Sequence, residues 1–141
     1  MIYTNSDGGA RGNPGPGAIG VLIRNEGTIL TKYSTKIGKL VTNNIAEYEA
    51  LLVALEMASK LGKKEITCCL DSELVINQLL GKYRVKNQKL LELFIEVQKK
   101  QEKFDKIIYK HVSRWDEFQQ MADELVNEEL ENRGYKKFQK K

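Results

Sequence analysis

Between Ile2 and Asp7 a short strand-like run leads directly into Gly8-Gly9-Ala10-Arg11-Gly12-Asn13-Pro14-Gly15-Pro16-Gly17, a pattern that predicts a strand stopping at Asp7 and a long turn after it. Ile19, Val21 and Ile23 then alternate with Gly20, Leu22 and Arg24. Ile29, Thr31, Tyr33, Thr35 and Ile37 repeat that alternation after the turn Asn25-Glu26-Gly27, which predicts an antiparallel hairpin. The period changes after Thr42: Asn43 or Asn44 is placed to cap a helix running to about Leu61, stopped by Gly62 in the left-handed position past its end. Glu65 to Leu70 reads as a strand, Asp71-Ser72 as a strand-to-helix junction, and Glu73 to Leu80 as a short helix closed by Gly81. A third helical stretch carries Leu90, Leu91, Phe94, Ile95, Val97 and Gln98 up to about Lys103. Lys106 to Val112 alternates once more, with Ile107, Tyr109 and His111 on one face, and a last helix spans roughly Phe118 to Asn132. Three strands followed by helices alternating with two further strands imply an α/β fold, a mixed sheet with helices packed on it. The expected domain is 1–134, with 135–141 as a basic tail. From Arg133 on, that tail interleaves Tyr135 and Phe138 with its charges and reads as a frayed end.

Composition narrows the class without naming a chemistry. A chain of 141 residues suits one domain and can close an apolar core without a disulfide scaffold. Its 41% hydrophobic and 30% charged residues are ordinary for a globular protein. No apolar run approaches a membrane span, and Met1-Ile2-Tyr3-Thr4-Asn5 lacks the basic start and apolar middle of a signal peptide, so the expected location is the cytoplasm. Cys68 and Cys69 are neighbours in a strand, where their side chains point to opposite faces, and they read as reduced packing residues. A net charge of +4 and a pI near 9.0 favour a polyanionic partner, as a mild prior.

Several carboxylates stand where packing alone would not put them. Glu47 shares a helical stripe with Leu51, Ala54, Ala58 and Leu61, the stripe that faces the core, and a carboxylate there is costly unless paired or bound to a metal. The plainer alternative is that Glu47, one turn from the helix start, looks over the sheet edge into water. Asp7 and Asp71 each follow a predicted strand, and the carboxyl ends of strands are where ligands collect in open α/β sheets. Their structural alternatives are a turn former before Gly8-Gly9 and a cap for the helix near Glu73. Asp123 lies on the edge of the last helix's apolar stripe, three residues before Val126, and taken singly reads as a solvated helix charge. Together, four carboxylates without clustered cysteine or histidine make a hard, all-oxygen site suited to Mg²⁺ or Mn²⁺ rather than zinc. Two such ions are the arrangement for in-line phosphodiester hydrolysis. The glycine-rich turn has no Gly-Lys-Ser/Thr ending and does not open directly into a helix, which excludes a nucleotide-triphosphatase loop.

Asp7 to Gly17, then Thr42-Asn43-Asn44-Ile45-Ala46-Glu47, then Leu70-Asp71-Ser72, and finally Ala122-Asp123-Glu124-Leu125 resemble, in order and over nearly the whole chain, the blocks of type 1 ribonuclease H. The resemblance implies a five-stranded mixed sheet with the second strand antiparallel, flanked by helices, and Asp7, Glu47, Asp71 and Asp123 as ligands of two magnesium ions, with manganese as a substitute. It implies cleavage of the RNA strand of RNA·DNA hybrids, leaving 5′-phosphate and 3′-hydroxyl ends. It sets Gly9, Arg11, Asn13, Asn43 and Asn44 near the nucleic-acid backbone, and makes Thr42 and Asn13 a pair that grips a DNA-strand phosphate. His111 corresponds to the family's histidine near the scissile phosphate, with a solvated strand-end histidine as its alternative. Met1 directly before the first strand leads to the expectation of a stand-alone protein; a monomer with no membrane and no small-molecule cofactor is expected as well.

This sequence also departs from the family pattern. The segment from His111 to Asp123 is two residues longer than usual, Gln119 stands where asparagine is common, and Glu73 occupies a position that is often glutamine and contacts RNA. After Gly81 the chain passes through Lys82-Tyr83-Arg84-Val85-Lys86 without the tryptophan-containing basic protrusion of some relatives, so affinity for substrate must come from elsewhere. Lys82, Arg84, Lys86 and Lys89 are the nearest candidates. Rival readings are another two-metal nuclease or strand-transfer enzyme of the same architecture, and a catalytically weak nucleic-acid-binding module of the same fold. Asn13-Pro14-Gly15 and Thr42-Asn43-Asn44 favour ribonuclease H over the first, and retention of all four carboxylates argues against the second.

Overall fold

The first strand carries further than the glycines suggest. In the computed structural model, which describes residues 1–132, β1 (Ile2–Ala10) runs past Asp7, because Gly8, Gly9 and Ala10 keep pairing with Ile19, Ala18 and Gly17 of β2 (Gly15–Asn25). The turn therefore shrinks to residues 11–14. The hairpin continues into β3 (Thr28–Val41), which pairs antiparallel with β2 through register shifts near both ends.

The first helix, α1 (Asn43–Lys60), is capped by Thr42, not by Asn43 or Asn44. Thr42 is the last extended residue, and its Oγ1 accepts the Ile45 N–H at 3.1 Å. Asn43 is engaged otherwise: its N–H donates to Asn13 Oδ1 at 2.9 Å and its Oδ1 accepts from the Ala10 N–H at 3.0 Å, which ties the turn to the helix start. At the other end Gly62 adopts φ +75°, the left-handed position expected of it. Then come β4 (Glu65–Leu70), α2 (Glu73–Leu79), α3 (Gln88–Gln101), β5 (Lys106–His111) and α4 (Glu117–Asn132). In α3 the buried side chains are Leu90, Leu93 and Val97, on one helical stripe. Ile95 falls on the opposite side and is exposed, as is Gln98.

The sheet order is β3-β2-β1-β4-β5, with β1 parallel to β4, β4 parallel to β5, and β2 antiparallel to both its neighbours. One face is covered by α1, whose Tyr48, Leu51 and Leu55 pack with Val21, Ile23, Ile66 and Leu70 and with the buried stripe of α3. The other face of the hairpin is covered by α4, where Val126 and Leu130 meet Ala18. This double coverage explains why β2 is buried on both faces from Gly17 to Ile23. Both cysteines are buried free thiols. Among the described residues no helix is long and apolar enough to cross a membrane. The basic tail, and the boundary placed at 134/135, lie outside the described residues.

Candidate active site

The ladder between β1 and β4 ends at the pair Asn5 and Cys69, and Asp7 and Asp71 each lie two residues beyond it on adjacent chains. Neither serves the plainer purpose open to it. Asp7 is paired within the hairpin opposite Gly20, so it forms no turn. Ser72 caps α2, accepting the Val75 N–H on Oγ at 3.2 Å, which leaves the Asp71 carboxylate without a capping role.

Two glycines bring the helices close enough to add their acids. A Cβ on Gly8 would run into the backbone carbonyl of Ala46, so only glycine lets the start of α1 press onto β1 there. The next helix residue is Glu47, whose Oε1 accepts the Gly8 N–H at 2.6 Å. On the second strand a Cβ at Gly20 would meet the carbonyl of Ala122, so α4 approaches at the residue before Asp123. Glu47 is therefore a buried carboxylate, 7% exposed, on the core stripe it shares with Leu51, Ala54 and Ala58. Leu61, predicted on the same stripe, is exposed as the cap residue past its end.

Carboxylate oxygens of Asp7, Glu47 and Asp71 all lie within 4.8 Å of one another. Burial is the main reason Asp7 is pushed up to about 7, with the charges of Asp71 and Asp123 adding to it and a hydrogen bond with Glu47 opposing. Burial likewise raises Glu47 well above the usual carboxylate range, helped by the charge of Asp7, against the Gly8 N–H. Asp71 is raised by burial and by Asp123, while Arg114 and His111 draw it back. Asp123 stands outside the triplet, exposed on α4. It lines the same cavity and acts on Asp7 and Asp71 through its charge.

That cavity, about 970 Å³, is lined by Gly9, Arg11, Asn43, Asn44, Glu73 and His111 as well as the four acids. His111 is the last residue of β5, opposite Leu70, and exposed. Asn13 and Thr42 do not line the cavity; Thr42 caps α1, and Asn13, in the turn between β1 and β2, accepts the Asn43 N–H at the start of that helix. Arg11 donates from Nη2 to Asn127 Oδ1 at 2.9 Å, and Asn127 Nδ2 donates to Asp123 Oδ2 at 3.3 Å, linking the turn to the fourth acid. Gln119 has a clear structural role. It is buried, its Oε1 accepts from Asn5 Nδ2 at 3.1 Å, and its Nε2 donates to the Ser6 carbonyl at 2.8 Å, which pins the start of α4 to β1. Arg24 extends this network by donating to Asn5 Oδ1 at 2.8 Å while its guanidinium lies over the rings of Tyr3 and Phe118.

Sequence reasoning missed Asn127, Arg114 and Trp115 as cavity residues. Asn127 carried a usable signal, one helical turn after Asp123 on the same face. Arg114 and Trp115 lie in the lengthened segment after β5, where no periodicity marks a direction.

The family model described as "Reverse transcriptase-like" matches residues 5–129. Ribonuclease HI of Halobacterium salinarum is 37% identical over 132 residues, which cover 93% of this chain and 65% of that protein. This chain belongs to the type 1 ribonuclease H family. Another ribonuclease H relative in structure, LC11-RNase H1, solved in complex with an RNA/DNA hybrid, superposes with a TM-score of 0.87 at 40% identity, covering 94% of this chain and 99% of that one. The bifunctional protein Rv2228c of Mycobacterium tuberculosis is 36% identical over 132 residues, 92% of this chain and 35% of its own length. The chain thus spans about a third of Rv2228c and just under two thirds of the Halobacterium ribonuclease HI. The five-stranded mixed sheet with an antiparallel second strand is the ribonuclease H arrangement implied by the sequence blocks.

Proposed function

We propose that this chain is an endoribonuclease that hydrolyses the RNA strand of RNA·DNA hybrids with two magnesium ions, leaving 5′-phosphate and 3′-hydroxyl ends. The observation that carries the reading is the convergence of Asp7, Glu47 and Asp71 within 4.8 Å. The donor set fits a hard divalent cation: it is all oxygen and largely buried, and burial, with the charges of neighbouring acids added to it, raises Asp7, Glu47 and Asp71, a cost that a cation offsets. Asp7, Glu47, Asp71 and Asp123 would hold the ions, with Mn²⁺ as the alternative to Mg²⁺. Bound there, such ions supply an activated water and neutralise charge on the leaving oxygen.

The remaining steps fall to the chain itself. Gly9, Arg11, Asn43 and Asn44 line one side of the cavity with backbone amides, a guanidinium and side-chain amides. These groups can donate to and accept from the 2′-hydroxyls and phosphates of the shallow minor groove, the feature that separates RNA from DNA. Thr42, at the start of α1, and Asn13, in the turn tied to it, take a phosphate of the DNA strand, and Glu73 sits beside the RNA strand. His111, exposed at the cavity edge, helps a proton or the product leave. The reading carries with it a monomer in the cytoplasm, and a domain of 1–134 followed by a short basic tail.

Incubating the purified chain with end-labelled RNA·DNA, RNA·RNA, DNA·DNA and single-stranded RNA, with Mg²⁺ or Mn²⁺ and beside Asp71→Asn, tests the reading. The expected result is metal-dependent cleavage confined to the RNA of the hybrid and lost in the variant. A hybrid bound but uncut under both metals overturns it in favour of a binding module.

A further inference from the structure

The turn between β5 and α4 holds an aromatic ring and a cation out over the acidic cavity. Ser113 Oγ accepts the Trp115 N–H at 3.1 Å, and the Ser113 carbonyl accepts the Asp116 N–H at 3.0 Å. Asp116 Oδ2 in turn accepts the N–H groups of Phe118 and Gln119, each at 3.0 Å, and so caps α4. The backbone is fixed on both sides of Trp115, while its side chain is 70% exposed. Its ring carries the guanidinium of Arg114 at 4.9 Å. A rigidly presented, solvent-facing indole paired with arginine is the composition of binding hot spots, not of ordinary surface.

The location gives this pair a task. The cavity holds Asp7, Glu47, Asp71, Glu73 and Asp123, which repel a polyanion, and besides Arg114 its lining has one other arginine, Arg11, which already gives one donor to Asn127. The segment between α2 and α3 contains no tryptophan, since Trp115 is the single tryptophan of the chain. In the sheet order β4 lies between β1 and β5, so Asp71 leaves the sheet between Gly9–Arg11, at the end of β1, and Arg114–Trp115, which follow β5.

We propose that Trp115 and Arg114 form the second wall of the substrate cleft, facing the wall made by Gly9, Arg11 and Asn43, and hold the backbone of the hybrid from that side. The inference rests on the ribonuclease reading above. In a duplex the base faces are occupied by stacking, so the indole packs on sugar edges in the shallow groove while Arg114 meets a phosphate. Trp115 acts as a positioning and affinity residue and takes no part in proton transfer.

The test compares steady-state cleavage of a hybrid by the intact chain, Trp115→Ala, Trp115→Phe and Arg114→Ala. It is paired with tryptophan emission of the Asp71→Asn chain, titrated with the same hybrid in Mg²⁺. The expected result is KM raised about tenfold in Trp115→Ala with kcat changed less than about twofold, recovery in Trp115→Phe, and a saturable change in emission. Arg114→Ala is expected to raise KM and flatten its salt dependence. If the intact chain cuts the hybrid but KM is unmoved in Trp115→Ala, or emission is unchanged at saturating hybrid, the wall is refuted and the ribonuclease reading stands. A chain that neither binds nor cuts the hybrid overturns both.

Discussion

Replacing Asp7 by asparagine removes one of three acids whose oxygens lie within 4.8 Å, and the structure sets the size of the effect. Asp7 is pushed from 3.8 up to about 7 in the folded chain, mainly by burial. Between roughly pH 4 and 7 the folded chain therefore keeps a proton that the unfolded chain has released. Without metal, stability falls as pH rises through that window and levels off above it. A shift of this size corresponds to on the order of 4 kcal/mol at pH 8. The neutral amide removes that cost, and loss of the hydrogen bond between Asp7 and Glu47 offsets part of the gain, so about half of it, ~2 kcal/mol, is expected for Asp7→Asn. In a chain of this length that is roughly 8 °C in Tm. Thermal unfolding followed by circular dichroism, in EDTA at pH 8 and at pH 4.5, reads it out. The variant is expected to melt higher at pH 8, with the gap nearly closed at pH 4.5, while its activity is lost. Added Mg²⁺ is expected to stabilise the intact chain more than the variant. A variant no more stable at pH 8, or one showing the same gap at both pH values, would refute the claim that the fold buries the Asp7 charge at a cost to which its acidic neighbours add.

Two further substitutions probe how the site is assembled. Gly8→Ala drives a Cβ into the Ala46 carbonyl, which belongs to helix backbone and cannot turn aside, so about 3 kcal/mol of stability and about a hundredfold in kcat are expected to go as Glu47 is displaced; a folded variant of full activity would show that the close approach is not needed. Gln119→Leu keeps the buried volume but leaves Asn5 Nδ2 and the Ser6 carbonyl without partners, at a cost of about 2 kcal/mol in urea unfolding. An unmoved urea midpoint would mean that the network does not pin α4.

Sequence alone determined most of the elements and which acids stood where packing would not put them. The hairpin, the core stripe of α1 with Glu47 on it, the strand exits at Asp71 and His111, and an oxygen-only donor set all follow from local periodicity and residue type, which need no knowledge of neighbours. Local signals failed where a partner from elsewhere decided the outcome. Gly8-Gly9 read as the start of a turn, yet β2 keeps them in the strand by supplying ladder partners. Asn43 was as good a cap as Thr42 by type, and the turn at Asn13 and the Ala10 amide took it for other bonds. Likewise, nothing in the segment after β5 shows which way Trp115 points, because its exposure is set by the Ser113 and Asp116 bonds around it. Above all, periodicity cannot say that Asp123 meets Asp7. That depends on α4 lying against Gly20 and being pinned through Gln119 to β1, contacts between residues more than a hundred positions apart in the chain. Residue type and spacing fixed which acids were available, and only packing across the sheet, where glycines leave room for helices, decided that they share one cavity.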